Sequence, residues 1–278
     1  MNMIVRHYNK NRPKILYKYR FFDIDGYHID SLVNNSIWFT SANKFNDPFD
    51  CSIIYQFDGN KRLRRRCADH FLRREYPNLT NQQREKFIES KIKKIDNDPK
   101  YLREMIEYLI NANYNQFGIC CFTPYYDNLL MWAHYSNNHE GFCVGIKLSK
   151  IRELQTELSK RNELLELFKI KYSKKMPLIN FYRAMLSQEE NDSLTPLITT
   201  KSNHWRYENE FRLIYWYHPN TLLTLLDESI AEIILGHYIK AENANKIVNI
   251  IKDKKMQISV FQAQKEERKF ALKFVQIL

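Results

Sequence analysis

Glu208, Glu210 and Arg212 stand at alternate positions in Trp205-Arg206-Tyr207-Glu208-Asn209-Glu210-Phe211-Arg212, which runs directly into the apolar stretch Leu213-Ile214-Tyr215-Trp216-Tyr217. The aromatic and bulky content from Phe211 onward predicts a β-strand, whose side chains alternate between two faces. Glu208, Glu210 and Arg212 then share one face, and Tyr207, Phe211, Leu213 and Tyr215 form the core side. Two carboxylates two residues apart on a strand stand roughly 6–7 Å apart and, when partly buried, disfavour each other's ionised form. Such a pair is costly unless a reaction uses it. Were the block helical, Glu208 and Arg212 would be an ordinary exposed pair one turn apart, contributing a few tenths of a kcal/mol.

Four other clusters carry reactive residue types. Lys18 and Arg20 project to one side of a predicted first strand and Tyr17 and Tyr19 to the other; the cations suit a phosphate or a ribose, and equally a solvated face. Asn46-Asp47-Pro48-Phe49-Asp50 is a turn-building sequence, because Asx side chains bond their own backbone, or else a site wall presenting Asn46 or Asp47. His134 and His139 flank a polar turn near Glu140 and Cys143, at a spacing that matches no zinc pattern, so no metal is expected. Cys120 and Cys121 lie in an apolar run and read as packing residues. There is no Gly-rich phosphate loop, no G-x-S-x-G, no H-E-x-x-H and no kinase motif set, which excludes the commonest nucleotide hydrolases, lipases and zinc proteases.

The elements that must position these residues follow from patterning. Ile15–Phe21, Ser36–Thr40 and Ser52–Phe57 read as strands, with a short helix over Ile24–Val33. From Lys61 to Asn115 strand signals vanish and helix starts recur: Thr80 with Gln83 makes a capping box, and Asp98-Pro99 places proline at a first helical position. About three helices are expected there, with a basic surface. Strands resume at Phe117–Thr123 and Gly141–Leu148, with a short helix over Asp127–Tyr135 between them. An amphipathic helix is expected over Ser149–Phe168, a weak strand at Ile170–Tyr172, and irregular or helical chain over Leu178–Leu197. Closing elements are a strand Ile230–Leu235 ended by Gly236, a helix Glu242–Lys254, and strands Gln257–Ala263 and Phe270–Ile277. Helices clustered between runs of strands predict α+β, as one domain over 1–278 with a helical insertion at about 61–115.

Composition bounds the function class. The chain of 278 residues is 44% hydrophobic and 14% aromatic with 6 Gly and 8 Pro, an ordered globular composition. Its net charge of +11 favours polyanions such as nucleic acid, or a nucleotide's phosphates. Five cysteines without a C-x-x-C pair fit a reduced cytoplasmic location. No apolar run reaches membrane-spanning length, so no membrane partner is expected.

Three blocks taken together resemble the bacterial family of unknown function numbered 2971: Leu16–Arg20 with Ile37–Thr40 and Phe45–Asp50; Cys121–Thr123 through Asn128–Tyr135 to Gly141-Phe142; and Trp205–Arg212. The family's layout is similar to that of ADP-ribosyltransferases, and the resemblance implies a mixed or antiparallel sheet core and a pocket for NAD. It assigns Glu210 to the nicotinamide ribose and to the positive charge that develops there, and Glu208 to the acceptor. Lys18, Tyr19, Arg20, Trp38, Asn46, Asp47, His134, Tyr207 and Arg212 would line the cofactor, with Lys18 where related sequences often have His. The implied activity is ADP-ribose transfer to a macromolecule, with nucleic acid met through the basic helices as the acceptor the charge suits, in a setting such as bacterial or phage defence. Two rivals stand beside it: a non-catalytic nucleic-acid-binding module on the same scaffold, and a nuclease or glycosidase acting through Glu208 and Glu210.

Overall fold

The computed structural model describes residues 13–23, 25–114, 116–186 and 190–278. Two compact units emerge, one comprising the chain up to Thr40 with Gly118–Lys169 and His204–Leu278, the other Ser41–Phe117 with Ile170–Asn203. The architecture is α+β with mixed and antiparallel sheets.

The first unit runs β1 (Ile15–Arg20), α1 (Tyr27–Val33), β2 (Ser36–Ser41), β4 (Phe117–Phe122), α5 (Leu129–Tyr135), β5 (Phe142–Lys147), α6 (Leu148–Ser159), β6 (Leu165–Lys169), β10 (Phe211–Trp216), β11 (Thr221–Thr224), β12 (Ile230–Leu235), α9 (Ala241–Asp253), β13 (Ser259–Lys265) and β14 (Leu272–Gln276). One sheet has the order β1-β5-β12-β13-β14 and a second β11-β2-β4-β10-β6. In the first, only β12 and β13 are parallel, and α9 is the crossover that a parallel pair requires.

Register decides which side chains share a face. Leu16, Lys18 and Arg20 stand opposite Ile146, Val144 and Phe142, whereas Tyr17 and Tyr19 stand opposite Gly145 and Cys143. On the first face, Leu16 and Ile146 bury against Ile37, Phe39, Phe122, Leu213 and Tyr215 of the second sheet and against Ile151, Leu154 and Leu158 of α6. Further along it, Phe142, Ile233 and Leu235 pack on Leu32 of α1 and on Ile247 and Ile251 of α9. The opposite face, with Tyr17, Tyr19, Cys143 and Ile234, is covered by Met131 and Trp132 of α5. At the ends of β5 and β12 the backbones meet: Gly236 N–H donates to the Gly141 carbonyl at 2.8 Å, and a Cβ on Gly236 would lie 2.2 Å from the His139 carbonyl oxygen.

The second unit holds β3 (Ile54–Gln56), α2 (Lys61–Glu75), α3 (Asn81–Asn97), α4 (Pro99–Tyr114), β7 (Lys171–Ser173), β8 (Leu178–Asn180), α7 (Phe181–Leu186), α8 (Glu190–Thr199) and β9 (Thr200–Ser202). β3 pairs with β8 and β7 with β9, both parallel. Thr80 and Gln83 form the expected capping box, and Asp98 accepts from the backbone N–H groups of Lys100 and Tyr101 at the start of α4. Three helices therefore occupy the segment from Lys61, as its cap signals predict; Asn115, its expected end, lies outside the described residues, as does Ile24, the expected start of α1.

Several expectations need correction. The helix expected over Ser149–Phe168 stops at Ser159, Asn162 takes a left-handed φ of 61°, and Leu165–Lys169 becomes a strand paired with β10. Pairing with β10 overrides the helical spacing of its leucines. The short strands β9 and β11 carry no alternating signal of their own and arise from pairing with β7 and β2.

Candidate functional site

β10 has no solvent face: all six of its residues are buried. Arg212 is 0% exposed and Glu208 and Glu210 are 3% exposed each, so the charged side of this segment is interior, as much as the apolar side. Nor do the two glutamates extend one regular strand. Asn203–Glu208 is a 3-10 turn, and Asn209 takes a left-handed φ of 45°, a conformation that asparagine tolerates better than most residues. The strand, and with it the alternation, begins only at Phe211.

Each carboxylate has an assigned partner. Arg212 Nε donates to Glu210 Oε1 at 2.7 Å and Nη2 to Oε2 at 3.3 Å, a two-pronged ion pair that fixes the plane of the carboxylate. The Tyr135 hydroxyl donates to Glu208 Oε1 at 2.5 Å. Tyr135 ends α5, whose start is capped by Asn128: its Oδ1 accepts from the N–H groups of Leu130 and Met131. The same side chain donates through Nδ2 to the Tyr207 carbonyl at 2.6 Å. One residue thus ties the start of α5 to the turn that carries Glu208.

Aromatic groups collect around this junction. Tyr135 and Tyr207 pack against the cluster of Tyr17, Tyr19, Met131 and Trp132. The His134 ring, exposed on α5, lies 6.2 Å from that of Tyr207, which is 6.1 Å from Trp205. Trp132 is pinned by its indole N–H to the Tyr126 carbonyl and Tyr19 by its hydroxyl to that of Tyr125. Among the described residues, no three His, Cys, Asp or Glu side chains gather as metal ligands do.

Within the first unit, the other residues expected at a cofactor pocket divide. Tyr19, His134 and Tyr207 belong to the α5 side of the β1 sheet with Glu208. Lys18 and Arg20 occupy the opposite face of β1, where they border a separate cavity between α1 and the sheet. Trp38 is 42% exposed on the outer side of β2, opposite the exposed Leu222. Asn46 and Asp47 belong to the second unit, where Asp47 accepts from the Phe49 N–H at 2.9 Å, the turn-making role that an Asx-Pro sequence suggests. In that unit Asp50 is buried with Lys201, its Oδ2 3.5 Å from Nζ.

Sequence reasoning did not single out Tyr135, Asn128 or the Asp50–Lys201 pair as site residues. Asn128 had a readable signal, an N-cap residue directly before an apolar helix. Tyr135 and Lys201 had none, because their partners are 73 and 151 positions away.

Residues 131–213 match the model of a family described as a protein of unknown function, DUF2971. The matched span contains Tyr135, Glu208, Glu210 and Arg212, while the resembling N-terminal block lies outside it. No curated protein and no solved structure matches the chain.

Proposed function

We infer that the protein is an ADP-ribosyltransferase-like transferase that moves ADP-ribose from NAD to a macromolecular acceptor, with nucleic acid the acceptor that its charge favours. The observation that carries this reading is the burial of two carboxylates two positions apart, each held by its own partner. Burying carboxylates costs free energy unless they are paired or used.

The chemistry asks for such groups. When the bond from ribose C1′ to the nicotinamide nitrogen breaks, the bonding pair leaves with nicotinamide and positive charge develops on the sugar. Glu210, its plane set by Arg212, stabilises that charge more than it stabilises the ground state. The acceptor's nucleophile then bonds to C1′, and Glu208, oriented by Tyr135, takes its proton. Tyr19, Tyr207 and His134 supply the aromatic wall for nicotinamide or adenine.

The test is incubation of the protein with NAD labelled in the adenylate phosphate, together with bacterial lysate or purified nucleic acid. The reading predicts label fixed to one acceptor class, and fixation lost in Glu208→Gln. Absence of both labelled acceptor and released nicotinamide in wild type would overturn it.

A second reading, a nucleic-acid-binding module without turnover, is favoured by one feature of α2. Several arginines of the helical segment are tied to acids, Arg64 to Asp96 and Arg65 to Glu85 among them. Lys61, Arg62 and Arg66 are exposed and, among the described residues, have no acid partner. Binding through them would weaken steeply with salt and survive Glu208→Gln.

A further inference from the structure

α3 separates its charges by face. Glu85, Glu89 and Asp96 recur at helical spacing toward α2, where Arg65 meets Glu85 and, at 3.7 Å, Glu89, and Arg64 meets Asp96. At 3.6 residues per turn the opposite face of the same helix carries Phe87, Lys91 and Lys94, flanked by Lys86 and Lys93. None of these four lysines has an acid partner among the described residues. The acids of α3 are thus spent on the arginines of α2, and the lysine side is left with net positive charge.

Aromatic rings interleave with these cations. Lys91 Nζ lies 5.4 Å from the centre of the Phe87 ring and 5.3 Å from that of Tyr101 on α4, and it donates to the Tyr101 hydroxyl at 3.0 Å. Lys94 Nζ lies 5.4 Å from the same Tyr101 ring. At the other end, the Phe87 ring lies 6.3 Å from that of Tyr76, the residue that closes α2. The row therefore runs Tyr76, Phe87, Lys91, Tyr101, Lys94. Tyr108, two turns beyond Tyr101, continues the same face of α4. That helix balances its own charges, Glu104 being met by Lys100 at 3.9 Å and Glu107 matched in number by Arg103. Tyr76, Phe87 and Tyr108 are 51%, 39% and 72% exposed. Single exposed rings are ordinary on a surface, whereas rings alternating with unpaired ammonium groups along one strip are what a chain of bases joined by phosphates would meet.

We propose that the strip formed by Tyr76, α3 and the start of α4 binds single-stranded nucleic acid, with Phe87 and Tyr76 stacking on bases and Lys91 and Lys94 contacting phosphates. Exposed rings on a helical surface reach the faces of unpaired bases, which a duplex keeps stacked inside. The proposal rests on the nucleic-acid reading for its class of partner; it moves the contact from α2 to a different surface and specifies the strand. It is independent of NAD turnover.

The experiment is fluorescence anisotropy of labelled oligothymidylate and oligouridylate with the full chain over a range of salt, each strand about twelve nucleotides long to span a single-strand site. A duplex of the same length and phosphatidylserine vesicles are measured beside them. Single strands should bind more tightly than the duplex, and a preference for one sugar would identify the strand as RNA or DNA. Phe87→Leu and Tyr76→Leu should each weaken single-strand binding about fivefold or more, the loss of one stacked base, with the salt dependence unchanged. Lys91→Met with Lys94→Met should lower the slope of log affinity against log salt by about 1.4. All variants are matched to wild type by circular dichroism; should Lys91→Met misfold, Lys94→Met alone should lower the slope by about 0.7. Duplex bound as tightly as single strand, binding to the vesicles alone, or single-strand affinity unchanged in the folded variants would overturn the proposal. If Lys61→Ala with Arg62→Ala and Arg66→Ala abolishes binding that the α3 variants leave intact, the nucleic-acid reading stands and this site fails; binding of no nucleic acid by wild type removes both.

Discussion

Arg212 decides how the glutamate pair can be probed. Its guanidinium is fully buried against Glu210, so removing either partner leaves a charge stranded in the interior. Breaking a buried pair from one side typically costs about 3–5 kcal/mol. Arg212→Met should therefore lower the unfolding free energy by about that much in urea titration; a loss below about 1 kcal/mol would mean that the guanidinium is not Glu210's compensating charge. Arg212→Lys should recover only part, because an ammonium cannot reproduce the fork. Tyr135→Phe removes one donor to Glu208 while keeping the ring's packing, and should cost about 1–3 kcal/mol in the same assay. At this scale the sequence was informative about spacing and silent about what holds the residues. The spacing of Glu208, Glu210 and Arg212 was visible, whereas the turn that breaks their expected alternation, their burial and the Tyr135 contact were not.

Among the elements, the junction between the 3-10 turn and β10 carries both glutamates. Asn209, at φ 45°, sets the two glutamates in different local conformations. Asn209→Val forces a β-branched residue into that region and should lower stability by about 1–2 kcal/mol or more, while Asn209→Gly should be tolerated. Equal melting temperatures for the two variants would contradict this account. Asn128→Ala removes both the α5 cap and the tie to Tyr207, and should cost about 1–2 kcal/mol. The sequence was most legible where elements carry their own punctuation: Thr80 and Gln83, Asp98 before Pro99, the alternation of β1, and the apolar runs of β4, β5 and β12. It misled where pairing overrides propensity, as in β6, whose leucines carry helical spacing and yet form an edge strand on β10.

Across the whole molecule, burial leaves a signature in the pH dependence of stability. Burial pushes the Cys67 thiol from 9.0 up to about 11 and raises Cys143 and the Tyr17 and Tyr19 hydroxyls above their ordinary values. A raised folded-state pKa contributes stability that is fully present below the unfolded value and is lost as pH rises. Thermal unfolding should thus show a plateau near neutrality and a decline from about pH 9 toward 11, each group adding a slope of up to about 1.4 kcal/mol per pH unit. A melting temperature flat to pH 11 would contradict the packing of these groups. No helix among the described residues is long and apolar enough to cross a membrane, and α2 exposes Lys61, Arg62 and Arg66. If they bind nucleic acid, Lys61→Ala with Arg62→Ala and Arg66→Ala should reduce the slope of log affinity against log salt by about 2–3; an unchanged slope would remove α2 from that surface.

We propose that Glu208 and Glu210 act on a ribosyl bond, and Glu208→Gln probes this most cleanly, because glutamine still accepts from Tyr135 and leaves the Arg212–Glu210 pair intact. The decisive measurement is the rate of nicotinamide release from NAD in the presence of acceptor, compared between wild type and Glu208→Gln of matched circular dichroism and melting temperature. Wild type should release nicotinamide at a measurable rate and the variant about a hundredfold or more slower, the loss expected of a general base. Release at the same rate in both, or none in wild type with any nucleic-acid or protein acceptor supplied, would contradict it.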